Sequence, residues 1–248
     1  MAREGAALVG KVAVVTGAGR GIGRAIAIGY AAEGAAVCCA ARSAAEIAET
    51  VRLIEDEGGR AMAQVADVTD YASVEELFLH ASSSYSGIDI VVANAGTTIE
   101  NTAVEESDPA KWRQTIDVNL IGAYHTARAA IPHLRQRGSG KIIFTGSGMG
   151  HRSFPTRSSY AAAKAGLRML TRVLAQEMTA HNICVNELVP GPVNTDLVRA
   201  RADALRAALG SGEWFKAPQD VVPLALFLAT QPAHGPTGQT FSLARREL

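Results

Sequence analysis

From Lys11 to Leu243, short apolar runs alternate with longer helical stretches, and this order limits the possible folds more than any other feature of the chain. Lys11-Val-Ala-Val-Val-Thr16 is the first run, rich in β-branched residues and bounded by Gly10 and Gly17. Such a run, with no polar alternation, reads as a strand buried on both faces. Further strands are expected over 35–40, 60–66, 88–93, 141–145, 183–189 and 239–243. Helices are expected between them. One spans 22–33 and is stopped by Gly34; one is capped by Ser43 and stopped by Gly58-Gly59; one is capped by Thr69 or Asp70. Asp108 as cap and Pro109 in the first turn open a long helix towards Arg137, which Pro132 is expected to kink or divide. Helices over 159–180, capped by Ser158 or Ser159, and over 219–230 complete the set. The alternation implies an α/β Rossmann fold, a doubly wound parallel sheet of seven strands flanked by helices. No linker or shift in composition divides the chain, so residues 1–248 are expected to form one domain.

Charge and cysteine content narrow the function. Lys plus Arg and Asp plus Glu both number 24, so nothing calls for nucleic acid or an anionic membrane as partner. Cys38, Cys39 and Cys184 show no Cys-x-x-Cys spacing and are expected to be buried free thiols. The first ten residues lack a long apolar core, and no membrane-length apolar window follows, so a cytoplasmic protein is expected. No His, Cys or carboxylate cluster has ligand spacing, so no metal is expected.

Ligands of such sheets bind beyond the carboxyl ends of the strands. Thr16-Gly17-Ala18-Gly19-Arg20-Gly21-Ile22-Gly23 lies at the first of these ends and opens the first helix. Its glycines let backbone approach a pyrophosphate, whose charge the helix N-terminus favours. No register fits the Gly-x-Gly-x-x-Gly/Ala template; the spacing present is Gly17-x-x-x-Gly21-x-Gly23. Further on, Tyr160 and Lys164 are four residues apart and share one helix face. A nearby cation favours phenolate over phenol and makes Tyr a usable acid and base. Alone, the pair reads as an exposed helix with chance neighbours.

Thr-Gly-x-x-x-Gly-x-Gly, Asn94-Ala95-Gly96 after the fourth strand, and Tyr-x-x-x-Lys together resemble the short-chain dehydrogenase/reductase family, classical type, with a likeness to its 3-oxoacyl-[acyl-carrier-protein] reductases. The resemblance runs from about Gly10 to Leu243 and implies an NADP(H)- or NAD(H)-dependent oxidoreductase. It makes Ser147, thirteen residues before Tyr160, a partner for the substrate carbonyl. It makes Tyr160 the general acid, Lys164 its tuner and ribose anchor, and Asn119 the support of a water leading to solvent. Asn119 is also an unfavourable residue inside a helix, an independent hint of function. Cofactor contacts are implied for Gly17, Gly21, Ile22, Gly23, Asp67, Val68, Asn94, Ala95, Gly96, Tyr160, Lys164, Pro190, Gly191, Val193 and Thr195. Asp67 could equally be a helix cap, and the family's first Asn before Asn94 is here Ala93.

The second strand ends Ala40-Ala41-Arg42, where members preferring NAD carry Asp at position 41. Arg42, with Arg20 as a second cation, suits a 2′-phosphate, so NADP(H) is favoured over NAD(H). Residues 196–216 correspond to the family's substrate lid. They carry Leu197, Val198, Leu205, Leu209, Trp214 and Phe215 with Arg199, Arg201, Arg206 and Lys216. These cations fit a carboxylate or thioester-linked substrate, or merely a solvated helix face. His151 reads as a loop residue and His181 as a helix-end cation. The tail, Thr240 to Leu248, departs from the family's glycine-rich end, at which its tetramers often pack. The expected partners are a small carbonyl or alcohol substrate and, by the resemblance, copies of this chain in a tetramer or dimer. The alternatives are an alcohol or sugar dehydrogenase and a silent dinucleotide-binding protein.

Overall fold

The computed structural model describes residues 5–199, 212–245 and 248. Seven strands, all parallel, form one sheet in the order β3-β2-β1-β4-β5-β6-β7. They are β1 (Val12–Thr16), β2 (Ala36–Ala41), β3 (Arg60–Val65), β4 (Ile90–Ala93), β5 (Gly140–Thr145), β6 (Ile183–Val189) and β7 (Thr240–Ser242). The helices are α1 (Gly21–Ala32), α2 (Ala44–Asp56), α3 (Tyr71–Tyr85), α4 (Pro109–Ile116), α5 (Gly122–Gln136), α6 (Ser158–Met178), α7 (Asp196–Arg199) and α8 (Val222–Thr230). The chain order reverses between β1 and β4, whose register pairs Val14 with Val91. That reversal opens a crevice at the carboxyl ends of these two strands.

The pleat of β1 explains the unbroken apolar run. Val12 and Val14 join a core that includes Leu77 of α3, Ala127 of α5 and Leu167 of α6. Ala13 and Val15 face the opposite way, into a core with Ile26 of α1, Ile47 of α2 and Leu228 of α8. With helices on both faces, a charge in a central strand has no solvent to reach. Cys38, Cys39 and Cys184 are buried and free. Burial pushes the Cys38 and Cys39 thiols up to about 12, which leaves them unreactive. Among the described residues no helix is long and apolar enough to cross a membrane.

Local signals set three helix starts. Ser43 Oγ accepts from Glu46 N, Asp70 from Ala72 N, and Asp108 from Ala110 N and Lys111 N. Two expectations need correction. The Tyr160 helix is not capped by Ser158 or Ser159, because Arg157 is its N-cap and makes no side-chain cap bond. Ser159 is buried, and Ser158 Oγ instead accepts from Trp112 Nε1 at 3.0 Å, which ties α4 to α6. The long helix is interrupted not at Pro132 but by a π turn over Asp117–Ile121, where Gly122 N–H reaches back five residues to Asp117 O. Pro132 and Arg128 lie on the exposed side of α5, so the carbonyl that the ring leaves unbonded faces water.

Candidate active site

The crevice is a cleft of about 700 Å³ bounded by the loops after β1, β2, β3, β4, β5 and β6. Every site residue expected from the sequence lines it except Gly23. Gly23 sits just behind, and a Cβ there would overlap Gly17 O and Asn94 Nδ2. It is therefore the close-packing residue that seats α1 on the loop.

The first half of the cleft is backbone. Gly17 and Gly21 adopt φ of 66° and 55°, which side chains rarely adopt. A Cβ at Gly17 would come within 2.9 Å of Ala95 Cα, so the loops after β1 and β4 touch. Asn94 fastens them: its N–H donates to Thr16 Oγ1 at 3.1 Å, its Nδ2 to Thr16 O at 3.0 Å, and its Oδ1 accepts from Thr145 Oγ1 at 3.3 Å. Asp67 is not a helix cap; its Oδ1 accepts from Thr69 N and Thr69 Oγ1, while Asp70 caps α3. Val68 packs against Gly122 at the start of α5. Pro190-Gly191 leads into Val193, which bridges to Lys216, so the segment before α8 is tied to the β6 loop. Thr195 Cγ2 packs against Gly21. The narrow glycine cradle at a helix N-terminus fits a pyrophosphate, and the volume fits an extended dinucleotide.

At the β2 end, Arg42 is exposed and lines the rim beside Ala41. Arg20 lines the same rim. Its guanidinium bonds Asp196 Oδ2 at 3.1 Å and lies 4.0 Å from Glu46 Oε1. It latches the glycine loop to the start of α7, and two acids share it. Of the cations expected over 196–216, Arg201 and Arg206 lie outside the described residues, as do Leu205 and Leu209.

The second half is chemical. Tyr160 and Lys164 lie one turn apart on α6, with the Lys164 Nζ 5.6 Å from the Tyr160 ring centroid. Ser147 hydrogen-bonds the Tyr160 hydroxyl. Burial pushes the phenol above its ordinary value; the Ser147 bond and the Arg157 charge pull the other way. Lys164 is 4 % exposed, and its Nζ donates to Thr145 O at 2.8 Å. Burial pushes its pKa down to about 8, against an opposing pull from Glu187. Asn119, in the π turn, donates through Nδ2 to Thr97 O at 2.7 Å and to Thr115 O at 2.8 Å. Both amide hydrogens are thus committed to holding the loop after β4. Ser147, Tyr160 and Lys164 bring a hydroxyl, a phenol and a cation together at the cleft wall, a set able to move a proton to or from an oxygen.

A family model for short chain dehydrogenases matches residues 11–206. The chain belongs to the short-chain dehydrogenase family. It is 40 % identical over 241 residues to 3beta-hydroxysteroid dehydrogenase 1 of Eggerthella lenta, covering 94 % of this chain and 92 % of that protein. It is 36 % identical to the 3-oxoacyl-[acyl-carrier-protein] reductase of Escherichia coli, covering 93 % and 94 %. Among solved structures, an NAD(P)-dependent gluconate 5-dehydrogenase from Beutenbergia cavernae, described with bound NADP at low occupancy, gives a TM-score of 0.88 at 37 % identity, covering 95 % of each chain. As a member of this oxidoreductase family, the chain has a cleft for a nicotinamide dinucleotide.

Sequence reasoning missed two features of the short-chain dehydrogenase site. Glu46 and Asp196 crowd the Arg20 rim. Glu187 lies fully buried and engages His151, which sits in the turn after β5 with its side chain 6 % exposed. The signal was available: Glu187 is the one charge in the apolar run Ile183-Cys-Val-Asn-Glu-Leu-Val189. Among the described residues no group of three His, Cys, Asp or Glu is placed to hold a metal ion.

Proposed function

We propose that the protein is an NADP(H)-dependent short-chain reductase that converts a carbonyl to an alcohol. The observation that carries this reading is the convergence of Ser147, Tyr160 and Lys164 on the cleft whose other half is the glycine cradle. The bound dinucleotide supplies the hydride. Ser147 donates a hydrogen bond to the substrate oxygen and orients it. Tyr160, which burial favours as the neutral phenol, gives its proton to that oxygen. Lys164 favours the phenolate left behind and holds the ribose. Asn119 holds the wall through which the proton is replaced. General acid catalysis is worth about 10²–10⁴-fold, so Tyr160→Phe should lose at least ~10²-fold in kcat with cofactor affinity intact. Near-normal turnover in that variant would refute the assignment.

Arg42 at the rim, with no acid at Ala41, supports NADP(H) over NAD(H). The names of the relatives leave two substrate classes to separate: thioester-linked 3-oxo acids, as for the Escherichia coli reductase, and cyclic or sugar alcohols, as for the hydroxysteroid and gluconate enzymes. A panel of acetoacetyl thioesters, cyclic ketones and sugars, scored by NADPH oxidation, decides between them; the thioester is the expected best substrate. The same reading has residues 1–248 as one catalytic domain acting in the cytoplasm as a homotetramer or dimer. Apolar Tyr124, Met169, Val173 and Phe227 on the surface support assembly, and light scattering reads it directly.

A further inference from the structure

Glu187 sits in the middle of β6, in register with Phe144 of β5 and Thr240 of β7, and is 0 % exposed. Its Oε2 accepts from Thr240 Oγ1 at 2.7 Å and lies 3.2 Å from His151 Nε2. Its Oε1 has no hydrogen-bond partner among the described residues. That oxygen packs against Gly146, where a Cβ would overlap it. Gly146 and Ser147 form the cleft wall, and neither Glu187 nor His151 lines the cleft. The carboxylate therefore lies against the backbone that precedes Ser147, outside the cleft lining.

A buried carboxylate is costly unless an opposite charge lies near, and one truncated partner leaves the other charge stranded. Lys164 presents the complementary problem. Its ammonium is buried and donates to an uncharged carbonyl, Thr145 O. Tyr160 lies one turn away on the same helix, its ring 5.6 Å from the Lys164 Nζ, and β6, which carries Glu187, packs against α6. Of these only Glu187 carries a negative charge that favours the ammonium.

Resting on the reductase reading, we propose that Glu187 is a positioning residue, the buried counter-charge that keeps Lys164 an ammonium ion, its direction fixed by Thr240 and His151. Two donors hold one oxygen, and the other is left to act through space across Gly146. The C-terminal strand enters the site in this way, since Thr240 belongs to β7. A Gly at position 146 follows, because any side chain would displace the carboxylate.

The test is a titration of Lys164 itself, by NMR of the full chain labelled with ¹³C at lysine Cε and assigned with Lys164→Met. An opposite charge close by moves a pKa by about one unit or more. Glu187→Gln should lower the Lys164 titration by about one pH unit, and move the alkaline limb of kcat/KM in the same direction. Glu187→Asp, which keeps the charge, should restore most of both. An unmoved Lys164 titration in folded Glu187→Gln overturns the proposal, as does an Asp variant no better than Gln. Should Glu187→Gln fail to fold, the wild-type carboxyl resonance of Glu187 decides. It should shift over the pH range in which Lys164 loses its proton, and no coupled shift overturns the proposal. Loss of the reductase reading would look different: no carbonyl would be turned over by the wild type, while the lysine titration would still respond to Glu187.

Discussion

Lys164→Met removes the buried ammonium and keeps an unbranched side chain of similar length. The expected result is a protein that is more stable at neutral pH and inactive. In the folded protein burial lowers the Lys164 pKa from 10.5 to about 8. At about 1.4 kcal/mol per unit, holding the charged form at neutral pH costs about 3 kcal/mol of stability. Met loses the bond to Thr145 O, worth about 1 kcal/mol, so the net gain at pH 7 is about 2 kcal/mol. For a chain of this size that is about 5 °C in Tm. The sign follows from linkage. The unfolded chain binds the Lys164 proton more tightly than the folded one, so wild-type stability rises with pH between about 8 and 10.5. The penalty is full below that window and gone above it. Urea unfolding of both proteins from about pH 6 to about pH 10.5 reads the difference directly, and shared titrations cancel. The advantage of Met should shrink across the window and reverse at its top, where only the lost hydrogen bond remains. A difference that stays constant from pH 8 upwards would refute the claim that a charged lysine is held there against its environment.

Two further outcomes test other parts of the molecule. Arg42→Ala should raise KM for NADPH by about 10-fold or more, the worth of a charge-assisted hydrogen bond, and leave KM for NADH unchanged; equal effects on both cofactors would remove Arg42 from 2′-phosphate recognition. Asp89 accepts from Val12 N at 2.9 Å and pairs with Arg137 at 3.0 Å, joining β1 to the end of α5. Asp89→Ala strands that buried N–H and should cost about 2 kcal/mol, read as a lower urea midpoint with the slope unchanged; an unaltered midpoint would count against the pair as a support of the sheet.

The strands, the helix starts at Ser43, Asp70 and Asp108, and the glycine loop were legible in the chain because each is a local matter. Unbroken apolar runs, a capping oxygen two or three residues ahead of an N–H, and glycines at positive φ need no knowledge of what lies across the fold. Ser147, Tyr160 and Lys164 were legible too, through fixed spacing, and they do line one cleft. What the chain alone did not decide is every contact made between distant segments. Trp112 takes the hydroxyl expected to cap α6, so Arg157 begins that helix instead. Asn119 reaches Thr97, and a π turn replaces the break expected at Pro132. Arg20 meets Asp196 across the cleft mouth. Glu187 finds His151 and Thr240, 36 and 53 residues away in sequence. These pairings arise because the order β1-β4-β5-β6-β7 stacks separate loops at one end of the sheet. Periodicity and spacing determine which elements form; only the assembled sheet determines which side chains share a buried, low-dielectric space, and there the charge on Lys164 is set.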